Sequence, residues 1–311
     1  RDLGHKAAAE RIRADGVQVL IDLKGYTQGA RPQIAALRPA PVQAQWLGYP
    51  GSMGADFIDY ILADAVVAPF AHQNDYAEKI VHLPGSYQPN DSRRVIADAP
   101  NRRADVDLPE GAFVFCGFNA AYKLNPAVFD VWCGLLRAVP GSVLWLLDPG
   151  VEAAANLRRA AHARGVTADR LVFAPRRGQA DYLAQFRLAD LFLDAWPVGG
   201  HTTASDALWA GLPTLTWEGP AFAGRVCASL VRALGLPELA AESPADYAAR
   251  ALALAADPAA LAGLRARLAA ARGAAGVFDG ARFARGLAAA CAQMWRRWRD
   301  GQPPASFAVS D

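Results

Sequence analysis

Nine short apolar runs recur along this chain between stretches with the period of an amphipathic helix, at 17–23, 42–47, 60–63, 80–83, 113–118, 143–147, 171–173, 191–194 and 214–217. Runs this brief, alternating with helical pattern, read as strands of parallel sheets whose crossovers are helices. The expected class is α/β. The most complete series lies in the second half, where helices are expected over 126–138, 151–164, 179–188 and 203–210, each following a strand. Between 85 and 111 the text turns polar, Pro-containing and aperiodic, as a linker does. Residues 244–299 are Ala-rich and still amphipathic, so they are read as helix.

A chain of 311 residues suits two such domains rather than one. Its 32 Lys and Arg against 30 Asp and Glu leave a net charge of +2, which asks for neither nucleic acid nor an anionic membrane as main partner. The four cysteines, at 116, 133, 227 and 291, form no CxxC; buried reduced thiols and a cytoplasmic setting are expected. No apolar run approaches the ~20 residues that span a bilayer. The first residue is Arg1 rather than Met, and an amphipathic helix follows at once, so sequence is expected to be missing upstream.

In parallel sheets ligands sit beyond the carboxyl ends of the strands, and the chemistry-bearing clusters fall there. "DAWPVGGHTTASDALWAGLPT", residues 194–214, is a strand end, a glycine turn and the first turn of a helix rich in hydroxyls. Backbone N–H groups and the helix dipole converge on an anion at such a place. Gly200, His201, Thr202 and Thr203 are the candidates; a plain threonine N-cap would explain one hydroxyl but not both and the histidine. Asp206, one turn on, could accept from ribose hydroxyls. Lys123 follows the strand "FVFCGFN", just before Asn125 and Pro126, which read as the cap and first residue of a helix. A lysine so placed can neutralise a departing diphosphate. In the first half, "LKGYTQGARP" and "LRPAPVQAQWLGYPGSMGADFIDY" are glycine-punctuated loops after strands, with aromatic residues that suit a groove for a sugar or an extended chain.

Other chemistries fail on spacing. The five histidines form no HxH or HExxH pair, and Asp105-Val106-Asp107 falls in the linker rather than after a strand, so no metal site is expected. There is no GxSxG elbow, P-loop or GxGxxG after a strand.

Taken together, "GYTQGARP", "LRPAPVQAQWLGYPGSMGADFIDYILAD", "YAEKIVHLPGSYQPND", "FCGFNAAYKLNP", "VPGSVLWLL", "GGHTTASDALWAGLPTLTWEG" and "RVCASLV" closely resemble the catalytic region of the O-GlcNAc transferase and SPINDLY-like family, glycosyltransferase family 41. The resemblance runs from about residue 5 to 299. It implies a bacterial homologue lacking its N-terminal part, with tetratricopeptide repeats upstream. It also implies a GT-B fold, two Rossmann-like domains facing a cleft: 1–95 as part of the acceptor-side domain, 96–112 as linker, 113–275 as the nucleotide-sugar domain, and 276–311 as a helix crossing back. The activity implied is inverting, metal-independent transfer of GlcNAc from UDP-GlcNAc to Ser or Thr of protein acceptors, with no cofactor.

By the same resemblance Lys123 is the catalytic, phosphate-binding lysine, and His201, Thr202, Thr203 and Gly200 hold the diphosphate. Asp206 takes the ribose, and Arg176 and Tyr182, in "APRRGQADYLAQFRLAD", contact the base. Thr27, Arg31, Leu47, Gly48 and Pro50 line the acceptor side. The chain reads Ala120-Ala121 and Gln28 where eukaryotic members carry Gln and Lys, and its base-contacting segment differs in length and composition. The same fold using UDP-glucose on nitrogen, or GDP-fucose, and a binding protein without transfer therefore stand as alternatives.

Overall fold

The computed structural model describes residues 2–98, 102–274 and 276–310. Residues 99–101, within the expected linker, lie outside the described residues. The chain divides into two compact units, one of residues 1–90 with 276–311 and one of residues 91–275.

The first unit opens with helix α1 (His5–Ala14), strand β1 (Val19–Asp22) and a short helix α2 (Pro32–Ala36), followed by β2 (Val42–Trp46), β3 (Tyr60–Ala63) and β4 (Lys79–His82). All four strands pair in parallel in sequence order. Its core gathers Val42, Ala44, Tyr60, Leu62, Val81 and Leu83 on one face of this sheet.

The second unit carries six strands, β5 (Val114–Gly117), β6 (Val143–Leu147), β7 (Leu171–Ala174), β8 (Leu191–Leu193), β9 (Thr214–Trp217) and β10 (Ala240–Ala241). Helices α3 (Pro126–Ala138), α4 (Val151–His162), α5 (Gln179–Gln185), α6 (Thr202–Trp209) and α7 (Phe222–Ala233) connect them, and α8 (Pro244–Ala256) and α9 (Pro258–Ala274) follow. The sheet is parallel throughout, in the order β10-β9-β8-β5-β6-β7. Both faces are buried. Phe115, Leu144, Leu146, Leu191 and Leu193 join one core with Trp132, whereas Val114, Cys116, Val143, Trp145 and Phe192 join the other. Successive side chains of a strand point to opposite faces, so continuous apolar runs are what a doubly covered sheet requires.

Helix α3 begins as its sequence indicates, with Pro126 in the first turn and the Asn125 side chain accepting from the Val128 N–H at 3.1 Å. The helical stretch expected over 244–299 is three helices. Asp257 closes α8, Pro258 opens α9, and α10 (Gly280–Arg299) starts afresh with Asp279 accepting from the Arg282 N–H. Helix α10 belongs to the first unit and packs Ala290 and Met294 into its core. The chain then adds β11 (Phe307–Ala308) beside β4.

Candidate functional site

Strand order in the second unit fixes where a ligand can be held. From β5 the chain winds outward to β6 and β7, then returns to lay β8 on the other side of β5 and winds away again. A crevice opens beyond the carboxyl ends of the strands at such a reversal. The segments after β5 and β8, which carry Lys123 and residues 199–203, meet there.

The Lys123 ammonium, at the end of a 3-10 turn over Ala121–Lys123, donates to the Gly199 carbonyl at 2.6 Å. Asn125 ties the same two segments together, its Nδ2 donating to the Trp196 carbonyl at 2.5 Å. Beneath the glycine turn lies Asp194, 1% exposed, which accepts from the Gly200 N–H at 2.6 Å, the Ala195 N–H at 2.9 Å and the Thr216 hydroxyl at 2.8 Å. A Cβ on Gly199 would stand 2.7 Å from the Asp194 carboxylate, so this approach requires glycine. Burial pushes the Asp194 carboxyl up, against the pull of these donors and of Lys123. Burial likewise pulls the Lys123 ammonium down, opposed by Asp194.

His201 is the N-cap of α6, and neither it nor a threonine makes a side-chain cap. Thr202 and Thr203 are the first helical residues, one position earlier than the expected start at 203, so the N-cap account of the threonines does not hold. The N–H groups of a first helical turn have no intrahelical acceptor and, with the helix dipole, favour an anion. His201 faces the Ala223 carbonyl at 3.3 Å. Its burial, and secondarily the Lys123 charge, hold its pKa down to about 4, so the imidazole is neutral near pH 7. Asn119, 3% exposed, has no partner for either carboxamide atom among the described residues. Its Oδ1 lies 3.2 Å from where a Gly200 Cβ would stand. The Lys123 ammonium, the N-terminus of α6 and the neutral His201 imidazole thus adjoin the glycine turn, an arrangement able to receive an anion.

Asp206, buried one turn into α6, is paired with Arg94, whose Nη2 also donates to the Ser205 hydroxyl at 3.3 Å. Burial raises the Asp206 pKa to about 6, opposed by Arg94. Tyr182 is half-buried and stacked on Phe118 at 6.1 Å. Arg176 is exposed in the segment between β7 and α5.

In the first unit the loops after β1 and β2 meet. A Cβ on Gly48 would fall 2.1 Å from the Leu23 carbonyl oxygen, so glycine is required for the two backbones to touch. Leu47, just before it, holds φ at 73°, a conformation rare outside glycine. Strained positions of this kind cluster at functional sites. The Thr27 hydroxyl donates to the Lys24 carbonyl at 2.8 Å, and Arg31 donates to the Leu3 carbonyl at 2.6 Å. Arg31 also lines a cavity of 340 Å³ with Ile12, Leu20, Leu23 and Ile34. Pro50 is half-buried beside Tyr49, whose ring meets Tyr26 edge-on at 5.4 Å.

Sequence reasoning missed two residues. Asp194 appears in the sequence only as a strand end, although an acid directly before a Gly-Gly turn is a recognisable signal. Arg94 sits in polar, aperiodic text and carries none. Among the described residues no three His, Cys, Asp or Glu side chains gather as metal ligands, and no helix is long and apolar enough to cross a membrane.

The sequence of this chain matches the model of glycosyl transferase family 41 over residues 3–102 and 100–287. It is 38% identical over 309 residues to a probable UDP-N-acetylglucosamine–peptide N-acetylglucosaminyltransferase of Arabidopsis thaliana, covering 97% of this chain and 32% of that protein. It is 33% identical to the SPINDLY protein of Oryza sativa subsp. japonica, named a probable enzyme of the same kind, over 97% of this chain and 33% of that one. The chain thus spans about a third of the length of these curated relatives. Among solved structures it is similar to a mutant of the Thermobaculum terrenum O-GlcNAc transferase, with a TM-score of 0.88 and 33% identity over 96% of this chain and 57% of that one. The fold is of the GT-B type, with two Rossmann-like α/β units. The chain belongs to glycosyl transferase family 41.

Proposed function

We propose that this chain carries the donor site and part of the acceptor side of an inverting, metal-independent glycosyltransferase that moves GlcNAc from UDP-GlcNAc to Ser or Thr hydroxyls of proteins. The observation that carries this reading is the meeting of Lys123 with the Gly199–Thr203 turn at the reversal of strand order, in a chain of family 41. The donor and acceptor classes follow those for which the relatives are named, UDP-N-acetylglucosamine and peptide.

In this reading the acceptor oxygen attacks the anomeric carbon while the bond to the diphosphate breaks, its electron pair leaving with UDP. Lys123, the N–H groups at the start of α6 and the Thr202 and Thr203 hydroxyls take up the growing charge. Neutral His201 adds a polar contact without a charge of its own. Asp206 accepts from the ribose, and Arg176 and Tyr182 lie on the side of the base. Thr27, Arg31, Leu47, Gly48 and Pro50 shape the acceptor side. Four free cysteines, three of them buried, support a reducing, cytoplasmic setting.

The test is donor-dependent mass gain on a Ser/Thr acceptor protein, comparing UDP-GlcNAc, UDP-glucose and GDP-fucose. A GlcNAc increment with the first donor, undiminished by EDTA, is expected. Activity lost to EDTA and restored by manganese would overturn the metal-independent mechanism, and no product with any donor would favour a binding protein.

A further inference from the structure

The buried pair between Arg94 and Asp206 joins residues 112 apart in sequence, and Arg94 lies near the start of the second unit, ahead of its first strand, rather than on one of its helices. Besides Asp206 and Ser205, the Arg94 guanidinium donates through Nε to the Asp91 carbonyl at 3.0 Å and lies 5.5 Å from the centre of the Trp209 ring. The Trp209 indole N–H in turn donates to the Arg94 carbonyl at 3.0 Å. Both side chains of the pair are about a tenth exposed. Of the two carboxylate oxygens, Oδ1 is the one that accepts from Arg94 Nη1.

We propose that Arg94 is a positioning residue for the donor nucleotide: it holds one oxygen of Asp206 and keeps the carboxylate ionised and oriented, so that the other oxygen accepts from the ribose hydroxyls. The inference rests on the ribose role given to Asp206 above. A carboxylate taken out of water without a cation reverts to the neutral acid, which is a poorer acceptor. Asp206 already titrates near 6 with Arg94 beside it, so losing the guanidinium would move its ionisation above neutrality. Around the pair, burial pushes the Tyr182 hydroxyl on α5 up, His201 is held down to about 4, and the Asp91 carboxyl beside Arg94 is held below its ordinary value by the Arg93 N–H; Arg272, on α9, is a further cation facing Arg94.

The experiment titrates the full chain with UDP and with 2′,3′-dideoxy-UDP from pH 6 to 9, as wild type, Arg94→Met and Arg94→Lys. Hydrogen bonds to a charged acceptor predict that wild type prefers UDP by roughly tenfold or more at pH 7. In Arg94→Met the preference should fall to within about twofold at pH 7 and recover towards pH 9, while Arg94→Lys should keep most of it at pH 7. A methionine variant that retains the full preference at pH 7 overturns the role of Arg94 alone. So does a loss that is independent of pH and not rescued by lysine, which marks a merely structural arginine. A wild type that binds UDP without any preference overturns the ribose role of Asp206, and the inference with it.

Discussion

The ammonium of Lys123 donates to the carbonyl of Gly199 at 2.6 Å, joining residues 76 apart that only the adjacency of β5 and β8 brings together. Lys123→Ala should lower kcat by about 10²–10³ with a much smaller change in KM, because the charge it meets grows in the transition state. Steady-state kinetics on the full-length enzyme decide this, and near wild-type turnover would remove Lys123 from the chemistry.

Gly199 is pinned by the Asp194 carboxylate, 2.7 Å from where a Cβ would stand, and that carboxylate is itself anchored by Thr216 and Gly200. Gly199→Ala is expected to cost about 1–3 kcal/mol of stability and to weaken UDP binding in parallel. Gly263, inside α9 with nothing within 4 Å, is the matched control. Gly263→Ala should stabilise by up to about 1 kcal/mol. Urea unfolding of the two variants compares them directly.

Because neither Thr202 nor Thr203 caps α6, alanine at both positions removes hydroxyls without removing a cap. UDP should raise the melting temperature of wild type far more than uridine does, and the double variant should lose most of that difference with a small change in its ligand-free melting temperature. A lowered ligand-free value with the UDP advantage intact would make the threonines purely structural.

His201 titrates near 4 in the folded chain because of burial and Lys123, against 6.5 for a free imidazole. The unfolded chain therefore binds the extra proton first, and stability is lost as pH falls from about 6.5 to about 4, by at most ~3 kcal/mol. His201→Gln should flatten denaturant midpoints over that window. An equally steep fall in the variant would assign the acid sensitivity elsewhere.

Much of this architecture can be read from local pattern. The nine runs coincide with β1 to β9, and β3, β5 and β8, buried along their whole length, are apolar throughout as a doubly covered strand must be. The Asn125-Pro126 start of α3 is equally local, as cap and first-turn residues act within four positions. The two-residue strands β10 and β11 leave no run to detect, and α7, buried along most of its length, shows its helical period only through Arg225, Ser229 and Arg232. The Gly-Gly-His-Thr-Thr turn after a strand is likewise a local pattern, the one on which the proposed anion site rests. What faces that turn depends on strand order, because β8 returns to the far side of β5 and so places Lys123 over Gly199. The pairing of Arg94 with Asp206 is further still from local pattern: an arginine in aperiodic text acquires its partner only when the segment carrying it lies along α6. Hydrophobic period and capping are short-range properties carried by the residues themselves, whereas a lysine bond to a carbonyl 76 positions away, or a charge pair across 112, arises only once packing has brought both groups to one place out of water.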